Sequence, residues 1–304
     1  MRAFTQNKKA KIRDWLSSFA FILPVVLGIL IFTLFPMVSS LIYSFTRTYT
    51  TVKGTGEWVG LQNYIDLFGV YWPEVGKSIG ITFLFTVISL PLTLVLSFGL
   101  AFLLTKDIKG IKMFRVIYYL PVMIPTVVSG ILWSMLANGS DMSAFNMILN
   151  ACGIPSFPFY DSESTAMFTF IVMGLFTIGS SMILWIAQIK SIPDSMYEVA
   201  DLEGANAFVK LVSITIPMCT PIIFYNLIMG IINSLQVFSN VITLNIEPGG
   251  KEALDFIVVQ IYDYYQSTDL SMACALSWIL FIIIAALSAV TFKFNKWVYY
   301  GEDV

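Results

Sequence analysis

Three asparagines, Asn226, Asn233 and Asn240, recur every seven residues in an otherwise apolar stretch, with Gln236 between the last two. Seven residues is close to two turns of α-helix, so on one helix these carboxamides share a face. A carboxamide both donates and accepts, and in hydrocarbon it is costly unless partnered. Two readings stand open: hydrogen bonds between helices, or a polar strip lining the path of a solute rich in hydroxyls. Trp185, Tyr225 and Trp278 offer flat faces to a ring-shaped solute, with lipid contact or packing as the alternative for each. A second concentration is acidic: Asp194, Glu198, Asp201 and Glu203. There is no histidine, and Cys152, Cys219 and Cys274 are scattered. The commonest metal ligand and general base are therefore missing, and the cysteines form neither a metal-like spacing nor a disulfide framework. No catalytic residue and no metal site is assigned.

The elements that position these groups follow from composition. Of 304 residues, 57% are hydrophobic and only 12% charged, and the mean hydropathy is +0.80. A soluble domain carries about a quarter charged residues, and a chain this apolar would expose aggregating patches in water. The bilayer is the expected solvent. Crossing it takes about 20 mostly apolar residues. Six stretches qualify, near 19–45, 79–104, 116–136, 166–189, 219–244 and 271–292, and none contains Asp, Glu, Lys or Arg. The fold class is thus all-α integral membrane, with a short segment 1–18 before the spans, a transmembrane bundle over 19–300 and a tail at 301–304. The first span follows Lys8, Lys9, Lys11 and Arg13, but its apolar run is too long for a cleaved signal peptide.

Cations fix the expected orientation. With six spans both termini share one side. That side takes 13 of the 17 cations, leaving Arg47, Lys53, Lys77 and Lys251 opposite. The termini are expected in the cytoplasm, with the loops near 46–78, 137–165 and 245–270 outside. The net charge of −2 gives no bias toward nucleic acid. Gly76-Lys77-Ser78 has the ending of a phosphate-binding loop, but the first glycine of that pattern would fall at Tyr71. Asn138-Gly139-Ser140 is an acceptor sequon by pattern only.

The polar loop 190–218 is the only sizeable one on the expected inner side. Pro193 suits a first helical position, and the acids after it suit a helix N-terminus. Gly204 is a helix stop and Asn206 a cap for a second helix. Two short helices joined by a glycine turn are expected, presenting Tyr197, Val199, Leu202, Ala205 and Phe208 as apolar surface. Read from residues alone, this is either an amphipathic connector on the membrane or a docking element.

The spacing of Glu198, Ala200, Gly204, Ala205, Ile214 and Pro217 resembles the EAA motif of permease subunits in ATP-binding-cassette importers. Val199, Glu203 and Ile216 replace the alanine directly after the glutamate, the aspartate and the leucine of that pattern. The resemblance extends over roughly 15–300. Gly60-Leu61-Gln62-Asn63-Tyr64 with Leu67-Phe68, Phe114-Arg115 through Leu120-Pro121, Ile124-Pro125 with Trp133, Asn146 with Leu149, and Gln236-Val237-Phe238 are similar to the maltose and multiple-sugar permeases. The large outer insertion of the maltose protein is missing, and Asn245-Ile246-Glu247-Pro248-Gly249-Gly250 departs from the family's glycine-rich loop. The resemblance implies a type I importer permease fold (MetI-like) of bacterial origin. It implies that Glu198, Ala200, Asp201, Glu203, Gly204, Ala205 and Pro217 contact a separate ATPase. It implies as partners a second homologous permease, two ATPase subunits holding ATP and magnesium, and an extracellular solute-binding protein. The implied cargo is a sugar, an oligosaccharide in the maltose branch, touching the fifth span. Spans free of ionisable groups argue for a neutral solute. The competing expectation is an ion-coupled secondary transporter, which predicts inverted repeats; a membrane enzyme would need a second cluster of acids or a metal set.

Overall fold

The computed structural model describes residues 2–47, 56–106, 109–244, 246 and 248–299, without the side chains of 2–13 and 16. The side chains of the N-terminal cations, and Lys53, Asn245, Glu247 and the tail 301–304, lie outside what is described. Two compact units make up the chain, residues 1–69 with 264–278, and residues 70–263 with 279–304.

In the first unit α1 (Arg2–Ile29) runs through a π-turn (Leu30–Leu34) into α2 (Phe35–Ser44). Pro36 accounts for the turn. It has no N–H for the carbonyl four residues back, and its ring crowds that carbonyl. Widening the helix relieves the clash, and the Phe35 N–H bonds Leu30 O instead. The residues Ser17–Ser44 are long and apolar enough to cross a bilayer. The segment after them holds a two-residue antiparallel pair, β1 (Thr46–Arg47) with β2 (Glu57–Trp58), and then α3 (Gln62–Phe68). The last carbonyls of a helix lack intrahelical donors. Asn63, fully buried, supplies one: its Nδ2 donates to Ser44 O, the last carbonyl of α2, at 2.8 Å and to Thr46 O in β1 at 2.7 Å. Ser44 Oγ and Tyr64 Oη share a bond of 2.7 Å, and Arg47 pairs with Asp66. The Gly60–Phe68 motif is therefore the cap of the first span. Trp278 belongs to the same unit and donates from Nε1 to Ser40 Oγ at 3.2 Å, which turns its indole onto the first span.

The second unit opens with α4 (Trp72–Leu104), 33 residues long. At 1.5 Å per residue it reaches about 50 Å, well beyond the hydrocarbon core. Arg115 closes its end, with Nη2 on Leu104 O at 2.6 Å. The third span is not one helix. α5 (Ile111–Tyr119) and a 3-10 turn (Leu120–Met123) meet α6 (Thr126–Leu136) at 98°. Pro125 pushes Ile124 out of the helical region, and Ile124 is extended at ψ 124°. After α7 (Ala144–Ala151), α8 (Glu163–Leu175) and α9 (Gly179–Ser191) are bent by 47°. Gly179 is needed there, since a Cβ would lie 2.1 Å from Tyr118 O.

α10 (Asp194–Leu202) and α11 (Ala207–Lys210) follow; α11 continues through a second π-turn (Leu211–Thr215) into α12 (Ile216–Met218). Here Pro217 stands to its π-turn as Pro36 does to the first. The segment Ala207–Met218 then meets α13 (Thr220–Leu235) at 65°. The expected single span 219–244 is thus corrected. α13 stops at Leu235, and a separate α14 (Ser239–Thr243) packs on α6, with Thr243 seated on Gly130, where a Cβ would come 1.8 Å from its Oγ1. α15 (Pro248–Lys251), α16 (Ile257–Gln266) and α17 (Leu270–Lys293) follow, and a 3-10 turn (Asn295–Trp297) is the last described element. Among the described residues three helices are long and apolar enough to cross a membrane, and up to six spans result when each bent pair counts as one.

α4 is the axis of the second unit, packed against α9 and α13. One apolar cluster groups Phe85, Phe170 and Phe256, whose ring centroids lie 5.2–5.6 Å apart, with Trp133 and Tyr160. Another surrounds Trp185 with Ala101, Leu104, Met182, Ile192 and Cys219.

Candidate functional site

The loop 190–218 is built by local rules. Helix α10 begins after Pro193, which sits at the cap position in extended backbone, and Asp194 occupies the first turn. Its end is a Schellman turn: the Ala205 N–H bonds Ala200 O at 2.9 Å, and the Gly204 N–H bonds Asp201 O at 3.0 Å. The geometry requires a left-handed residue, and Gly204 supplies it at φ +77°. Asn206 caps α11, accepting from the Val209 N–H at 2.9 Å. Lys210 reaches back to Asp201 as an ion pair. Glu198 and Glu203 are exposed, Ala200 is buried and Ala205 half-buried.

Two details differ from expectation. The second helix is not short but continues through the π-turn to Met218, because a widened turn absorbs Pro217 without ending the helix. Tyr197 does not join the apolar surface; its hydroxyl bonds Thr215 Oγ1 at 2.9 Å and holds α10 against the π-turn. The exposed surface is made by Val199, Leu202 (89% exposed) and Phe208 (71%).

Where α12 meets α13, Pro217 and Pro221 both lack backbone donors. Side chains compensate: Gln188 Nε2 donates to Met218 O at 2.9 Å, and Thr220 Oγ1 to Pro217 O at 2.7 Å. In a bilayer such carbonyls have no water to turn to.

The carboxamides lie further along α13. A cavity of about 350 Å³ is bounded by α4, α8, α9, α13 and α14. Asn226, Asn233 and Asn240 all line it, joined by the hydroxyls of Ser89, Thr93, Thr177, Ser180, Ser181 and Ser234. Among the described residues, none that lines it is ionisable. Asn240 is not on the helix of the other two; the turn after Leu235 carries it back to the same wall. Its Oδ1 is buried without a hydrogen-bond partner among the described residues, whereas Asn226 Nδ2 is bonded to Ile222 O at 2.9 Å. Gln236, Trp185 and Tyr225 do not line this cavity. Gln236 follows the last helical residue of α13 and is exposed. Trp185 is 1% exposed, with its Nε1 on Ser97 Oγ at 3.1 Å. Tyr225 is 49% exposed on α13. The hydroxyls were hidden in apolar runs; only the spacing of Ser89 and Thr93, one turn apart on α4, hinted at them.

Residues 99–299 match the family described as "Binding-protein-dependent transport system inner membrane component". The chain belongs to this family. Among the relatives of this inner membrane component, "Probable ABC transporter permease protein YesP" of Bacillus subtilis (strain 168) is 32% identical, covering 98% of this chain and 97% of its own. "Trehalose/maltose transport system permease protein MalF" of Thermococcus litoralis is 28% identical over 95% of this chain and 97% of its own. A solved structure titled "Crystal structure of bacterial alginate ABC transporter in complex with alginate pentasaccharide-bound periplasmic protein" superposes with a TM-score of 0.83 at 23% identity, covering 95% of this chain and 96% of that one. The fold of the ABC importer permeases is thereby shown. The matched region 99–299 contains the loop 190–218 and the three asparagines, and the inner membrane component owes its hydropathy to the membrane it occupies.

Proposed function

We propose that this inner membrane component forms half of the passage through which an ATP-driven importer moves a neutral oligosaccharide into the cell. The observation that carries the reading is the cavity: among the described residues three asparagines and several hydroxyls line it, and none of the lining is ionisable. Carboxamides and hydroxyls both donate and accept, as the hydroxyls of a sugar require. A cavity of this size suits a few sugar units at a time. The trehalose/maltose and alginate systems among the similar proteins support carbohydrate as the class.

A second, homologous permease forms the other wall. Two separate ATPase subunits hold ATP and magnesium, and a binding protein delivers cargo from outside. The termini and the loop 190–218 face the cytoplasm, where Val199, Leu202 and Phe208 seat on the ATPase and Gly204 shapes the contact. Glu198, Ala200, Asp201, Glu203, Ala205 and Pro217 set the fold of that contact. The helices then move as rigid bodies about the cavity. The test is uptake into proteoliposomes holding the full importer, with radiolabelled malto-, cello- and arabino-trisaccharide as probes. Uptake of at least one probe, dependent on ATP and unaffected by collapsing ion gradients, is the expected result. Uptake driven by an ion gradient without ATP would assign the chain to secondary transport.

A further inference from the structure

The segment after the last span ends on the bend between the loop helix and the cavity helix. The Tyr299 N–H donates to Thr220 Oγ1 at 2.8 Å, and the same hydroxyl donates to Pro217 O at 2.7 Å. Thr220 is buried, as is Val298 beside Tyr299. Phe224, one turn along α13, is held edge-on by Trp297 at 6.1 Å and by Phe292 at 5.4 Å. From the other side, Gln188 on α9 bonds Met218 O. The bend is thus clasped at three points.

Its place in the chain gives the clasp a consequence. On one side of the bend, residues 194–218 carry Gly204 and the exposed apolar surface. On the other, α13 carries Asn226 and Asn233 into the cavity wall. A push on the loop reaches the cavity only if the angle of 65° at Cys219 is stiff. Backbone bonds cross the bend at Cys219, whose N–H donates to Thr215 O and Ile216 O and whose carbonyl accepts from the Ile223 N–H, but Pro217 and Pro221 donate none. Side chains and the C-terminal segment add to that stiffness.

We propose that residues Asn295–Tyr299 are a strap that fixes the angle between the loop helix and α13, with the Thr220 hydroxyl as its clasp and Gln188 as the opposing stay. Thr220 is a positioning residue: it touches neither cargo nor ATPase and acts by making the lever rigid. The inference rests on the assignment of the loop and cavity under "Proposed function".

The test uses the full importer in proteoliposomes with the trisaccharide that the unaltered complex imports. Four variants of this chain are compared: Thr220→Val, Thr220→Ser, truncation after Asn295, and Gly204→Val as the reference for loop disruption. The quantity read is ATP hydrolysed per trisaccharide moved, with the complex quantified after purification. Thr220→Val and the truncation are expected to raise that ratio at least roughly fivefold, the lower end of typical coupling between sites, and Thr220→Ser to restore it. An unchanged ratio in Thr220→Val and in the truncation, with Gly204→Val uncoupled, overturns the strap and leaves the loop assignment standing. An unchanged ratio in Gly204→Val, or no import of any trisaccharide by the unaltered complex, overturns the underlying assignment and the strap with it. Proportional loss of hydrolysis and transport in Thr220→Val, the ratio constant, also overturns it, since a stability defect alone moves both together.

Discussion

The Ala205 N–H reaches the carbonyl of Ala200 at 2.9 Å across a left-handed Gly204. That one bond decides where α10 ends and how the exposed Leu202 and Phe208 are offered. A Cβ on Gly204 would meet nothing within 4 Å, so the demand is conformational and not steric. For a side chain, the left-handed region costs about 1–2 kcal/mol, and a β-branched one is worst placed to accept it. Gly204→Val is expected to leave the protein in the membrane and to lower ATP-driven uptake sharply, while Gly204→Asn, which tolerates that region, retains most of it. Uptake assays on membranes matched for protein content decide this.

Asn63 makes a different kind of prediction, about stability. It is the donor for the last carbonyl of α2 and for Thr46 O, and in Asn63→Ala those groups lose it. The loss is expected at about 1–3 kcal/mol, read as a lower thermal midpoint of the detergent-purified protein. Gln62→Ala, which removes only a contact to Asp66 at 2.7 Å, should shift it much less.

The cavity predicts a graded loss. Asn240→Leu removes an unpartnered acceptor, so it should not harm folding, and it should weaken uptake of a neutral trisaccharide by about tenfold, the value of one good hydrogen bond. Tyr225→Phe lies off the cavity and should leave uptake unchanged. Equal loss in both would mean that the carboxamide wall does not meet cargo.

Legibility followed the range of the forces involved. The cap at Asn206 and the stop at Gly204 are local, and the sequence reading of both matched their geometry. The existence of spans was plain from apolar runs. The breaks were not: Pro121, Pro125, Pro217 and Pro221 sit in stretches that membrane helices tolerate, and nothing local separates a kink from a 98° corner. The end of α13 at Leu235 has no glycine or proline at all. It follows from Thr243 settling on Gly130, a contact between distant residues. For the same reason Asn240 reached the cavity by a turn and not by helical period, while Trp185 went to Ser97.

Asp255, ahead of α16, gives a pH dependence. Burial pushes its carboxyl above the ordinary value of 3.8, against the opposing bond from Ser78 Oγ at 3.0 Å, with Asp263 adding to the rise. An acid whose folded pKa is raised binds its proton more readily when folded. It therefore costs stability once pH passes above its unfolded value, and the cost reaches its full size above the folded one. Asp255→Asn keeps an acceptor for Ser78 and removes the charge. It is expected to raise the thermal midpoint at pH 7, with the gain shrinking toward zero as pH falls to about 4, the range of the unperturbed carboxyl. Thermal scans across that range measure it.

The central claim is that the exposed end of α10 meets a separate ATPase on the inner face of the membrane. A photo-crosslinking residue at Leu202, in cells making the whole importer, tests it most directly. The account predicts one dominant adduct with a polypeptide that carries a phosphate-binding loop, and no labelling of Leu202→Cys by a membrane-impermeant thiol reagent added outside intact cells. Rapid labelling from outside, without the adduct, would contradict it.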